Sequence, residues 1–76
     1  MKTFNILINS INDVKNFVNI VNRYSFDVDL VSGRYVIDAK SIMGIFSLDL
    51  SKPINLNIHA DNDAAILEVL KAYIVE

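Results

Sequence analysis

The spacing of apolar residues changes several times along the chain. Phe4, Ile6 and Ile8 alternate with Asn5, and Leu7 interrupts the polar side, which predicts a strand over Lys2 to Ile8. Ile11, Val14, Phe17, Val18 and Val21 then recur at three and four residues, with Asn12, Lys15, Asn16, Asn19 and Asn22 between them. That period is the mark of an amphipathic helix. Alternation returns at Phe26, Val28 and Leu30, breaks at Ser32-Gly33, and resumes at Tyr35, Ile37 and Ala39, so this region predicts a β-hairpin. Lys40 to Leu48 is short and mostly apolar, and Ser41 at its head predicts an N-capped turn or two of helix, although Gly44 inside it weakens the helix. Past the Ser51-Lys52-Pro53 break, Ile54, Leu56 and Ile58 alternate with Asn55, Asn57 and His59 as a fourth strand. Asp61, Asn62 and Asp63 are placed to cap a last helix whose apolar stripe is Ala65, Ile66, Val69, Leu70, Tyr73 and Ile74.

The predicted order is βαββαβα. Each strand has one apolar face and one face carrying Asn5, Asp27, Asp29, Asp38, Asn55 and Asn57. An α+β fold follows, with a four-stranded antiparallel sheet and three helices on one face. No linker, internal repeat or low-complexity stretch divides the 76 residues, so residues 1–76 are expected to form one domain.

Composition narrows the classes of function. Hydrophobic residues make up 53% of the chain, with two Gly and one Pro, which argues against disorder. A chain this short buries only about 60% of the surface its unfolded form exposes, so its stability margin is thin. There are no cysteines, which excludes disulfides and thiolate metal sites and suits a reducing cytoplasmic setting. The apolar start is broken by Asn5 and Asn9 and is too short to span a bilayer, so no membrane insertion is expected. Net charge is -2, and Lys2, Lys15, Arg23, Arg34, Lys40, Lys52 and Lys71 are scattered, with no basic stripe for nucleic acid.

The residues capable of chemistry are few. Ser10, with Asp13 three positions on, has the spacing of a helix cap with an acidic residue at N3, and capping is favoured over a role as phosphoacceptor. His59 is the only histidine; alternation puts it on the polar sheet face near the strand's end, with no base or second ligand spaced to partner it. Asp27, Asp29 and Asp38 read as a solvated face, because hard cations want oxygen ligands from converging loops. Ser41 caps a predicted helix start, a position where a phosphate would meet free backbone N–H groups. Ile42, Met43 and Phe46 are too apolar for a solvated helix; they either cover the core edge or form a docking patch. No nucleophile and base are paired, so no catalytic residue, metal or cofactor is expected.

One segment carries a resemblance. Lys40-Ser41-Ile42-Met43-Gly44-Ile45-Phe46-Ser47-Leu48 resembles the regulatory-serine segment of the HPr phosphocarrier family of Gram-positive bacteria, departing from the common pattern mainly at Phe46. The element order is similar to the HPr open-faced β-sandwich, and Phe17 and Val18 stand at the family's usual distance ahead of that segment. The resemblance thus covers nearly the whole chain. It implies partners among the proteins of the sugar phosphotransferase system or its regulators, including a serine kinase and a transcriptional regulator.

The resemblance fails at one loop. In the family, a histidine near the start of the first helix, followed by a small residue, an arginine and a proline, carries the phosphoryl group. Counting back from Phe17, Ser10 falls at the histidine, Asn12 at the arginine and Asp13 at the proline. Phosphohistidine transfer needs an imidazole nucleophile, the positive end of a helix and a cation for the dianion. Only the helix end remains. The expectation is a non-enzymatic regulatory or binding member, similar to the catabolite-repression HPr-like proteins. The alternatives are a phosphocarrier with a non-standard acceptor and a diverged interaction domain.

Overall fold

A computed structural model describes residues 2–75; Met1 and Glu76, the ends of the expected domain, lie outside the described residues. The elements are β1 (Lys2–Ile6), α1 (Ile11–Val21), β2 (Asp27–Ser32), β3 (Tyr35–Asp38), α2 (Ile42–Phe46), β4 (Ile54–His59), α3 (Ala64–Leu70) and β5 (Ile74–Val75). The sheet is antiparallel throughout, in the order β3-β2-β4-β1-β5. All three helices cover one of its faces.

α1 starts where the sequence places it. Ser10 has extended backbone at φ -131°, ψ 158°, and its Oγ accepts the Asp13 N–H at 3.0 Å, which satisfies one of the helix's orphan donors. Val14, Phe17 and Val21, on the side facing the sheet, are fully buried. The helix stops at Asn22, whose backbone N–H and side-chain Nδ2 both donate to the Val18 carbonyl, at 3.0 and 2.9 Å. Lys40 Nζ donates to the Tyr24 carbonyl at 2.8 Å and so ties the chain after α1 to the approach to α2.

Alternation in β1, β2 and β4 sorts side chains as expected, whereas in β3 at the sheet's edge Tyr35 of the expected apolar face is 69% exposed. Ile6, Val28, Leu30, Ile54, Leu56 and Ile58 are buried against the helices, with Leu56 directly between Phe4 and Leu30 on the neighbouring strands. The open face carries Asn5 opposite Asn55, Asp29 between Asn57 and Asp38, and Asp27 opposite His59. Thr3 Oγ1 donates to Asn57 Oδ1 at 2.8 Å across β1 and β4. The hairpin turns on Gly33 and Arg34 between paired Ser32 and Tyr35. Gly33 has φ 60°, the sign a type II′ turn needs at its first central position, and a Cβ there would meet nothing within 4 Å. Glycine is therefore required by conformation and not by space.

α2 forms despite Gly44. A Cβ at that position would lie 3.3 Å from Ser41 Oγ and 3.5 Å from Ile37 Cδ1, so glycine lets the cap and β3 approach the helix closely. After α2, Asp49 Oδ1 accepts the Ser51 hydroxyl and backbone N–H at 2.6 and 3.1 Å; these bonds, with Lys52 adding a smaller effect, hold its carboxyl below the usual range.

Four expectations need correction. The sheet has five strands instead of four, because the apolar stripe assigned to the last helix ends at Leu70. Past it the chain turns through the Tyr73 N–H to Leu70 carbonyl bond at 2.9 Å, and Ile74–Val75 pairs with Asn5 and Ile6. The free edge of β1 offers those β-branched residues a ladder, and the Leu7 N–H adds a 2.8 Å bond to the Tyr73 carbonyl. β1 stops at Ile6, although Ile8 remains buried. Ile11, read as part of the α1 core stripe, is 63% exposed, whereas Val14 three residues on is fully buried. Val69 and Ala65 of the α3 stripe are exposed too, leaving Ile66 and Leu70 as its buried anchors. Ahead of α3, Asn62 Oδ1 accepts the Ala64 N–H at 3.3 Å, and Asp63 is the N-cap, its carbonyl accepting the Leu67 N–H at 2.9 Å.

Candidate functional site

Two helix starts carry the residues singled out by sequence. At α1, the Ser10 hydroxyl is engaged in the cap and the Val14 N–H donates to the Ser10 carbonyl at 3.0 Å, so this residue behaves as an N-cap in full. Asn12 is exposed and Asp13 half-buried in the first turn, where a carboxylate interacts favourably with the helix dipole. Beside them Ile11 presents an apolar side chain to solvent. Its spacing in the helical stripe gave no sign of this exposure.

At α2, Ser41 is exposed, and its Oγ accepts the Gly44 N–H at 3.2 Å. The helix is short and is closed at its other end by Ser47, whose hydroxyl donates to the Gly44 carbonyl. The three apolar residues divide. Ile42 packs partly against the core, whereas Met43 is 77% exposed and Phe46 41%. Ile42 thus covers the core edge, while Met43 and Phe46 face solvent.

His59 sits far from the start of α1 in topology. β1 and β4 run antiparallel, with Ile6 beside Ile54 and Lys2 beside Ile58, and α1 follows the Ile6 end. His59 is thus at the opposite end of β4 and on the open face. It does have a partner that sequence spacing did not reveal, because Nε2 lies 2.8 Å from Asp29 Oδ2. The two are diagonal across β2 and β4, a relation that depends on strand register. Both are partly exposed, so the pair is worth little in stability. Among the described residues no group of three or more His, Asp or Glu side chains is placed to hold a metal ion, and no helix is long and apolar enough to cross a membrane.

Three helices on one face of an antiparallel sheet, with serine-capped starts to the first two, define an open-faced β-sandwich of the phosphocarrier type. The family model described as the HPr component phosphorylation site of the phosphotransferase system matches residues 13–76. The chain belongs to the HPr family. Among solved structures, HPr-C-His from Thermoanaerobacter tengcongensis is 25% identical with a TM-score of 0.79, over 95% of this chain and 89% of that one. HPr from Bacillus anthracis is 26% identical with a TM-score of 0.71, covering 97% and 94%. Crh, a catabolite repression protein of Bacillus subtilis described as a swapped dimer, is 30% identical with a TM-score of 0.67, covering 92% and 80%. No curated protein matches the chain by sequence. The family match begins at Asp13 and so leaves Ser10 and Asn12 outside it.

Proposed function

We propose that this chain is a non-enzymatic regulatory or binding member of the sugar phosphotransferase network, carrying no phosphohistidine and taking a regulatory phosphate on Ser41. One observation carries the reading. Where the family's loop offers an imidazole at the start of the first helix, this chain has a serine whose hydroxyl is already engaged as the cap, followed by neutral Asn12 and anionic Asp13. A phosphoryl dianion there would find neither a nitrogen nucleophile nor a cation. The likeness to Crh supports the regulatory reading.

Ser41 supports its second half. Its hydroxyl is exposed at a helix start, where it accepts the Gly44 N–H, and a phosphate there would sit beside the backbone N–H groups of the first turn. Met43 and Phe46 supply an exposed apolar surface for a protein partner, such as an enzyme or regulator of the system, and Ile42 anchors that surface to the core. A phosphate of about -1.5 to -2 charge beside them changes their affinity for such a partner. No cofactor is needed.

The test is incubation with enzyme I and phosphoenolpyruvate in one arm, and with the HPr-type serine kinase and ATP in the other, read by intact mass. We expect no acid-labile phosphate in the first arm and one stable phosphate on Ser41 in the second. Phosphate on Ser10 or His59 in the first arm would make the chain a carrier with a non-standard acceptor. No mass shift in the second would remove the Ser41 assignment and leave a diverged interaction domain. Ser41→Ala should lose labelling while remaining folded, at a cost of about 0.5–2 kcal/mol for the lost cap.

A further inference from the structure

The sheet ends on one side in β3, a four-residue strand whose only charged residue is Asp38. Tyr35 is 69% exposed and Val36 63%, and the strand contains no lysine, proline or bulge of the kind that blunts natural edges. We infer that β3 is a self-pairing edge, and that two copies of this chain associate by laying β3 antiparallel to β3 about a twofold axis at Val36.

Backbone direction and charge together select this register. The Ala39 N–H donates to the Val28 carbonyl at 2.8 Å, so Ala39 turns its peptide groups toward β2. Alternation along an antiparallel ladder then turns the groups of Tyr35 and Ile37 the same way and those of Val36 and the Asp38 N–H outward, while the Asp38 carbonyl accepts the Ser41 N–H at 3.0 Å. An added strand must therefore pair at Val36 and Asp38, and only registers that set even-numbered residues opposite one another are open. Setting Asp38 against its own copy opposes like charges, as does setting Arg34 against its own copy. Pairing Val36 with Arg34 or with Asp38 leaves a charge facing a valine. Pairing Val36 with Val36 sets Arg34 opposite Asp38 of a second copy, twice by symmetry, and brings Tyr35 across from Ile37. This arrangement is self-complementary, as a twofold interface requires.

Both charges are available. Arg34 is exposed and makes no ion pair among the described residues, and Asp38 is exposed with Oδ1 accepting only the Lys40 backbone N–H, at 2.9 Å. Because a single short strand makes the contact, the dimer is expected to be weak, with a Kd of about 0.1–1 mM. It needs no exchange of segments between copies.

Sedimentation equilibrium of the full chain from about 10 μM to about 1 mM tests this, with 15N amide shifts recorded over the same range. The wild-type protein should shift reversibly from monomer to dimer, with the largest amide changes at Val36 and Asp38. R34D and D38R each oppose like charges in the pairing register, so each alone should weaken association by about tenfold or more. An equimolar mixture of the two variants restores two opposite-charge pairs and should regain the wild-type dimer fraction. V36P removes an outward N–H that β2 does not use, and should be folded by circular dichroism but monomeric. D38R also removes the Lys40 N–H acceptor, so R34D and V36P keep the test independent of any folding defect in it. A wild-type chain that stays monomeric to about 1 mM overturns the inference and leaves the edge to a foreign strand. So does a dimer that R34D and V36P leave unchanged, or two folded single variants whose mixture fails to associate.

Discussion

Replacing Phe17 by alanine should destabilise the protein by about 3–5 kcal/mol, the largest effect expected of a single truncation in this chain. The side chain is fully buried on α1, and its ring meets Tyr73 edge to face, with centroids 6.2 Å apart and planes at 89°. Removing it leaves a cavity beneath α1 and also strips the contact that holds Tyr73 at the approach to β5. A domain of 76 residues has roughly 4–11 kcal/mol in hand at 0.05–0.15 kcal/mol per residue, so the loss consumes much or all of it. Urea unfolding followed by circular dichroism should show a sharply lower midpoint, with Phe17→Leu much closer to wild type. A midpoint that does not move would mean that Phe17 is not core.

Histidine placed at position 10 should not by itself create a phosphocarrier. Ser10→His introduces the nucleophile but removes the Oγ that accepts the Asp13 N–H, and it leaves Asn12 neutral and Asp13 anionic in the turn that the dianion must occupy. A hydrogen bond to a charged group contributes about 1.5–3 kcal/mol, so the absent cation alone should cost roughly ten- to a hundredfold in rate, and the Asp13 carboxylate more. The triple change Ser10→His, Asn12→Arg and Asp13→Pro should therefore outpace the single change by at least about that factor with enzyme I and phosphoenolpyruvate. Equal rates for the single and triple variants would show that Asn12 and Asp13 do not matter to the chemistry. Both variants need a check by circular dichroism, because losing the cap costs about 0.5–2 kcal/mol of helix stability.

Much of this protein was legible in its residues. The stripe of Val14, Phe17 and Val21, the alternation of Val28 and Leu30 and of Ile54, Leu56 and Ile58, and the capping serines 10 and 41 all stand where local periodicity and capping place them. These features depend on neighbours a few residues apart in the chain, and backbone geometry converts such spacing directly into a buried face. The family resemblance of the segment from Lys40 to Leu48 was equally local.

What tertiary structure decided depends on residues distant in sequence. Ile74 continues the spacing of the α3 stripe yet joins Val75 as β5, because the edge of β1 some seventy residues earlier offers them a ladder. Ile11 has the helical spacing of the stripe yet is 63% exposed, so its burial was settled by tertiary packing and not by the period. His59 acquires Asp29 through the register of β4 on β2, which no count along the chain contains. Local sequence sets the conformation a segment prefers and the face it can bury. Which partner receives that face, and where the sheet ends, is fixed only when long-range pairing closes the fold.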